Sequence, residues 1–542
     1  MIKDGRVWYA NTASGDNMCI IPKMANRHGL IAGATGTGKT VTVKVLAESF
    51  SDMGVPVFIS DVKGDVTGIM MAGSESEDMK DRIAQFGLSG AGFELKGCPV
   101  SQWDIYGKNG IQLRTTISEM GPLLLARVLG LNDLQTGVLT VVFKIADDNG
   151  LLLADTKDLK AILNYVGDNA DSFAADYGKI AKATIGVIVR AVVAMESEGA
   201  EVFFGEPALN IMDWFSVEGG RGIINILDSS SLINNTRLYS TFLLWLMSEL
   251  FERLPEVGDM DKPKFIFFFD EAHLLFKDAP RVLMEKIEQM VKLIRSKGVG
   301  VYFCTQNPKD IPDGVLAQLG NRIEHGLRAY TPADQKAVRA AASAFRENPD
   351  MDTYDTILNL GTGEAVVSCL GDDGVPGVAQ KVFILPPQCA LGAASQEEIE
   401  NAVKGSLYYS KYANSYDPDS AYEFLQRRDI DAVAAHDLVK KQELEDKQAA
   451  KDAEKAEKNA IKEAEREEKE KQKALEKEQK EKEREESKKK NEIKREVRQV
   501  SSTLGRTIGR SVGGQYGTIG RQIGSGVGAS LGRGLFDTLF KK

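Results

Sequence analysis

Two kinds of hydrophobic patterning alternate along the chain. In the first, apolar residues follow one another on successive positions rather than alternating, at Leu30-Ile31-Ala32, Val55-Pro56-Val57-Phe58-Ile59, Gly222–Leu227 (broken by Asn225), Phe265–Phe269 and Val299–Cys304. Strands covered on both faces read this way, as in a parallel sheet flanked by helices, whereas a strand with one wet face alternates. Further strands are expected at Glu364–Leu370 and Lys381–Leu385. In the second kind, between about 112 and 215, the segments MGPLLLARVLGL, VLTVVFKIADD and IAKATIGVIVRAVVAMES repeat apolar residues every three or four positions, the period of helices. The pattern therefore predicts an α/β core of mostly parallel strands interrupted by a helical insertion. Residues 1–111 form its first part, 112–215 the insertion, 216–395 its second part and 396–436 a helical connector.

Beyond residue 437 this patterning ends. Of the 60 residues from 441 to 500, 39 are charged, and apolar positions such as Leu444, Ile461, Leu475 and Ile493 are too sparse to hold an a/d seam. A solvated single helix acting as a spacer over 437–500 fits this better than a strong coiled coil. The last 42 residues, 501–542, carry 11 glycines between small apolar steps. That composition suits either a flexible, mildly basic tail or a segment that packs closely on itself, a protein partner or a membrane surface.

Composition and charge narrow the classes. With 542 residues, 43% hydrophobic and 27% charged, the chain can bury more than one core, and wholesale disorder is excluded. The net charge of −10 is an average: 441–500 carries +1, 501–542 carries +5, and residues 1–440 hold 42 basic and 58 acidic groups, or −16. A core of that sign cannot embrace phosphate backbones over its whole surface, so any nucleic-acid contact is local. Cys19, Cys98, Cys304, Cys369 and Cys389 show no CxxC spacing for zinc or redox work, which predicts a reduced, cytoplasmic setting. No apolar stretch reaches 18 residues, and MIKDGRVWYANTASGDNMCI lacks the layout of a secretory signal.

The sharpest chemical signal is Gly33-Ala34-Thr35-Gly36-Thr37-Gly38-Lys39-Thr40, a complete GxxxxGK[ST] between an expected strand and an expected helix. Its glycines let backbone N–H groups turn inward on phosphate oxygens, and the helix that starts there adds its positive end. Lys39 then reaches the β and γ phosphates, and the Thr40 hydroxyl is a ligand for Mg²⁺, which prefers hard oxygen donors. The other half of such a site is an acid at the end of a buried strand, and Asp270-Glu271 follows Phe265–Phe269. Asp270 is the expected metal holder and Glu271 the base that polarises water. Taken alone, Asp-Glu could equally cap a helix starting at Ala272. His273 reads as a local polar contact, and His28, His325 and His436 lack ligand spacing.

Four segments together carry a family resemblance: Arg27-His28-Gly29-Leu30 leading into GATGTGKT, Asp61-Val62-Lys63-Gly64-Asp65, FFFDEAH, and Thr305-Gln306-Asn307-Pro308. Over about residues 1–395 the chain resembles the HerA/FtsK group of P-loop ATPases, most closely the bacterial HerA-helicase-like proteins. The resemblance implies a RecA-like core and a homo-oligomeric ring, usually a hexamer, in which ATP with Mg²⁺ sits between subunits and drives movement on DNA. It implies that Gln306 senses the γ phosphate, and that an arginine from the neighbouring subunit neutralises transition-state charge. Arg322 is the first candidate for that arginine and Arg328 the second. The 32 residues before the glycine loop leave no room for the N-terminal β-barrel of HerA translocases, and no winged-helix or membrane domain of the FtsK kind stands out. An alternative is an ATP-driven switch or scaffold whose charged arm and glycine tail dock a protein partner or membrane without DNA translocation.

Overall fold

The structure, a computed structural model, describes residues 1–232, 235–276 and 281–430. The charged segment expected at 437–500, the glycine-rich tail at 501–542 and the end of the connector lie outside these residues. The chain divides into two compact units, the first comprising Met1–Thr116, Leu124–Leu131 and Arg190–Asp417. The second comprises Ile117–Leu123, Asn132–Val189 and the described residues from Pro418 onward.

The first unit is a mixed α/β structure. Its strands, in chain order, are β1 (Ile2–Lys3), β2 (Arg6–Thr12), β3 (Asn17–Ile20), β4 (Gly29–Ala32), β5 (Val57–Asp61), β6 (Val100–Asp104) and β7 (Ile111–Gln112). A separate hairpin, β8 (Val217–Glu218) and β9 (Arg221–Gly222), precedes β10 (Ile224–Asp228), β11 (Phe265–Phe269), β12 (Val299–Thr305), β13 (Asn321–His325), β14 (Glu364–Ser368) and β15 (Gln380–Ile384). All but the hairpin join one 13-stranded sheet in the order β1-β2-β15-β14-β13-β4-β12-β11-β5-β10-β6-β7, with β3 paired on β2. From β13 across to β7 every pairing is parallel. From β13 outward in the other direction the pairings turn antiparallel, so the residues ahead of the glycine loop extend the sheet through β2 on β15.

The uninterrupted apolar runs are the parallel strands, and their burial explains the pattern. Every residue of β4, β5, β11 and β12 is buried. Alternate side chains of β11 face opposite layers. Phe267 packs on Phe265 at 4.8 Å and on Phe58 at 5.2 Å, and Phe58 stacks on Trp214 at 4.9 Å. Phe268 faces the other way, 5.2 Å from Tyr302, which in turn meets Phe50 of the helix Lys39–Asp52. Burying each of these rings is worth roughly 1.5–3 kcal/mol relative to leaving it in water.

The second unit is helical, with Asp133–Asp148, Thr156–Asp168, Ala170–Tyr177 and Ala421–Ile430. Asn132 and Asp155 close capping boxes that satisfy the first turns of the two longest of these helices. Leu159, Ile162, Leu163 and Val166 supply the buried stripe of Thr156–Asp168 at helical spacing. The buried Asp158 accepts hydrogen bonds from Ala154 N, Ser420 Oγ and Tyr422 N at 2.6–2.8 Å, tying the Ala421–Ile430 helix to the unit. Among the described residues no helix is long and apolar enough to cross a membrane.

Candidate functional site

Strand order builds the site. β12 lies between β4, which ends in the glycine loop, and β11, which ends in Asp270-Glu271. All three run parallel, so their carboxyl ends share one edge of the sheet, the place where open α/β sheets receive ligands. Gln306 leaves the end of β12 between the other two.

The glycine loop is held from below. Gly33 N donates to Thr305 O at 3.2 Å and Ala34 N to Gly326 O at 2.9 Å. Gly33 has φ +149°, and a Cβ there would lie 2.5 Å from His325 Cβ, so the loop approaches β13 more closely than any side chain permits. Gly38, at φ +114°, delivers the chain into the helix Lys39–Asp52 without a side-chain cap and with no acid in the first turn. Those leading N–H groups and the helix dipole are thus left for an anion. Lys39 is buried, with Nζ donating to Gly33 O at 2.7 Å and Ala34 O at 3.1 Å, inside its own loop. Burial lowers its pKa, opposed by Glu271 and Asp270, whose charges it senses across the crevice. Thr35 and Gly36 are exposed at the tip, and Thr40 is half-buried at the helix start.

Across the crevice stand the acids. Burial, then the charges of Glu271 and Asp61, push the Asp270 carboxyl up to about 7, an environment that a cation would relieve. Thr40 and Asp270 are oxygen donors of the kind that hold Mg²⁺, so both halves of the crevice fit a magnesium nucleotide. Glu271 has the left-handed φ of +46°, unusual for a residue with a Cβ and strained unless its surroundings hold it there. Its carboxylate is 3% exposed and is gripped by the Lys63 ammonium. Gln306 Nε2 donates to both of its oxygens at 3.2 Å, and His273 Nδ1 lies 3.1 Å from Oε2. Burial raises the Glu271 pKa, but the hydrogen bonds from Lys63 and Gln306 outweigh it and leave the group lowered and ionised. His273 opens a four-residue helix, His273–Phe276.

Three further residues escaped motif reading. Lys63 was visible only as part of a family signature. His325 is fully buried beneath the loop, its Nδ1 donating to Glu364 O at 2.9 Å and its Nε2 accepting from the Thr42 hydroxyl at 2.9 Å. Burial lowers its pKa to about 4, so it is a neutral strut. Glu324 is buried beside Ala32 in register, and burial raises its pKa to about 8 against the charges of Arg322 and Lys39. No lone motif marks any of them, because each acts through neighbours distant in sequence. Of the two arginines, Arg322 lies within β13 with Nη2 donating to Leu316 O at 3.2 Å. Arg328 follows β13 on the exposed surface, with Nη1 3.4 Å from Leu358 O.

A glycine-lysine loop between strand and helix, with an acidic strand end one strand removed, defines a P-loop nucleoside triphosphatase fold. The chain belongs more narrowly to the family described as Helicase HerA-like C-terminal, which matches residues 8–522. It is similar to the DNA double-strand break repair helicase HerA of Sulfurisphaera tokodaii, 24% identical over 355 residues that cover 63% of this chain and 62% of that protein. A probable helicase of Methanocaldococcus jannaschii is 31% identical over 120 residues, 21% of each chain. The matched part thus spans 62% of the length of the curated HerA relatives. Among solved structures, the plasmid coupling protein TrwB with the ATP analogue ADPNP has a TM-score of 0.45 at 16% identity, covering 69% of this chain and 88% of that one. VirB4 of Thermoanaerobacter pseudethanolicus has a TM-score of 0.42 at 16% identity, covering 74% and 99%.

Proposed function

We propose that the chain is a Mg²⁺-dependent ATPase that works as a homo-oligomeric ring, hexameric by the family's habit, and couples turnover to DNA binding or translocation. The observation that carries this reading is the shared crevice: an uncapped helix start with Lys39 on one side, Asp270 and Glu271 on the other, and Gln306 between. The backbone N–H groups of Thr35–Thr40 and the Lys39 ammonium bind the phosphates, and Lys39 leaves the Gly33 and Ala34 carbonyls to do so. Bound magnesium supplies charge neutralisation at the phosphates, held by Thr40 and Asp270. Glu271 accepts the proton of the attacking water, and Gln306 reports the γ phosphate. Arg322 or Arg328 meets the neighbouring subunit's site. Arg328 is exposed, whereas Arg322 must first release the Leu316 carbonyl. The link to DNA is supported by membership of the HerA-like family and by the helicase named among its relatives.

The test is steady-state ATP hydrolysis by the full chain with and without duplex and single-stranded DNA, read beside its mass in solution. Lys39→Ala is expected to abolish nucleotide binding. Glu271→Gln is expected to keep binding while losing roughly 10²- to 10⁴-fold in kcat, the usual worth of a general base. Alanine at the arginine acting in trans costs about 10³-fold or more with binding intact, so substituting Arg322 and Arg328 separately identifies it. Wild-type protein that neither binds nor hydrolyses ATP overturns the proposal. The charge of −16 on residues 1–440 favours a second reading, an ATP-driven switch or scaffold that docks a protein partner or membrane. ATP turnover indifferent to DNA at every salt concentration would select it.

A further inference from the structure

We propose that Lys63 is the positioning residue for Glu271, fixing the carboxylate at the crevice so that it faces the attacking water; the inference rests on the ATPase reading above. Lys63 follows β5, the strand paired with β11 on the side away from β12. Its loop is built to present it. The buried Asp61 carboxylate at the end of β5 accepts hydrogen bonds from the backbone N–H groups of Lys63, Gly64 and Val66 at 2.8–3.2 Å, curling the chain back over the end of β11. The Lys63 side chain is 42% exposed along its length and ends on a carboxylate that is 3% exposed.

Two features make this pairing more than a surface ion pair. First, Glu271 stands at φ +46°, and nothing in its own backbone favours that conformation. Second, Lys63 and Gln306 donate to its oxygens from strands on opposite sides of β11, with His273 Nδ1 a further 3.1 Å contact from its own loop. Removing the ammonium leaves a buried carboxylate held by Gln306 and His273 alone, with the side facing β5 unanchored. Because a carboxylate offers about four acceptor sites, the two donors still leave room for a water. Gln306 alone can sense the nucleotide and hold the base only if a second anchor keeps Glu271 in place when the amide moves. Lys63 is that anchor.

The experiment compares Lys63→Met and Lys63→Arg with wild type in the full chain, measuring kcat and KM for ATP, the Kd of a fluorescent ATP analogue, and the thermal midpoint. Lys63→Met is expected to lower kcat roughly 10- to 100-fold, the scale of a misplaced catalytic group, with Kd unchanged and the chain still folded, its thermal midpoint lowered by the loss of the ion pair. Lys63→Arg should recover most of the lost kcat, since a guanidinium also donates to a carboxylate. In the Glu271→Gln background, Lys63→Met should cost little more, because the two act as one unit. A Lys63→Met protein with wild-type kcat removes this inference alone. A rise in Kd with kcat preserved also removes it, since Lys63 then contacts the nucleotide. A wild type without ATP turnover removes the ATPase reading as well.

Discussion

Replacing Glu324 by glutamine probes the electrostatics beneath the glycine loop. The side chain is 2% exposed, and its Oε1 has no hydrogen-bond partner. Burial raises its pKa from 4.5 to about 8, although Arg322 and Lys39 pull it down. The sign follows from proton counting. Between pH 4.5 and 8 the folded chain keeps a proton on Glu324 that the unfolded chain has released, so stability falls as pH rises through that window. The slope reaches about 1.4 kcal/mol per pH unit, and the loss over the whole window is on the order of 5 kcal/mol. It is absent below the unfolded pKa and complete above the folded one. Glu324→Gln cannot ionise, so the variant should match wild type near pH 4.5 and be the more stable of the two at pH 8.5. Thermal and urea midpoints of both full chains from pH 4.5 to 8.5 read this directly. Asp61 and Asp270, raised to about 6 and about 7, tilt both proteins in the same direction and cancel in the difference. Parallel pH profiles for the two proteins would refute the reasoning, because Glu324 would then be solvated or already paired.

Two other substitutions test geometry. Gly33→Ala puts a Cβ 2.5 Å from His325 Cβ and 2.9 Å from Thr37 Oγ1 at φ +149°, so the loop must move. The expected result is at least a tenfold loss of affinity for a fluorescent ATP analogue, about 1.4 kcal/mol, with the circular dichroism spectrum unchanged; undiminished affinity would show that the loop tolerates the shift. Phe267→Ala empties a ring packed between Phe58 and Phe265, and chemical denaturation should report a loss of about 3–5 kcal/mol, with a change below about 1 kcal/mol contradicting the packing described.

Much of this was legible from residues near one another in the chain. The uninterrupted apolar runs at Leu30–Ala32, Val57–Ile59, Phe265–Phe269 and Val299–Cys304 announced doubly covered parallel strands, and they are β4, β5, β11 and β12. Gly33–Thr40 and Asp270-Glu271 were recognisable because their chemistry depends on local spacing: glycines that curl a loop, a lysine at a helix start, acids at a strand end. The helix Ile117–Val128 kinks at Gly121, φ +71°, at the start of the expected MGPLLLARVLGL segment and just before Pro122, a break the periodicity did not anticipate.

Tertiary structure alone decided which distant pieces meet. Lys63 and Glu271 are 208 residues apart, Thr42 and His325 are 283, and nothing in either neighbourhood names its partner. The burial that leaves Glu324 protonated arises because β13 inserts beside β4, and the crevice itself exists because β12 lies between β4 and β11. Periodicity records which face of an element is dry, a property of a few consecutive residues. Strand order, cross-strand register and the desolvation of a single carboxyl are set by how whole layers pack, and no local pattern encodes them.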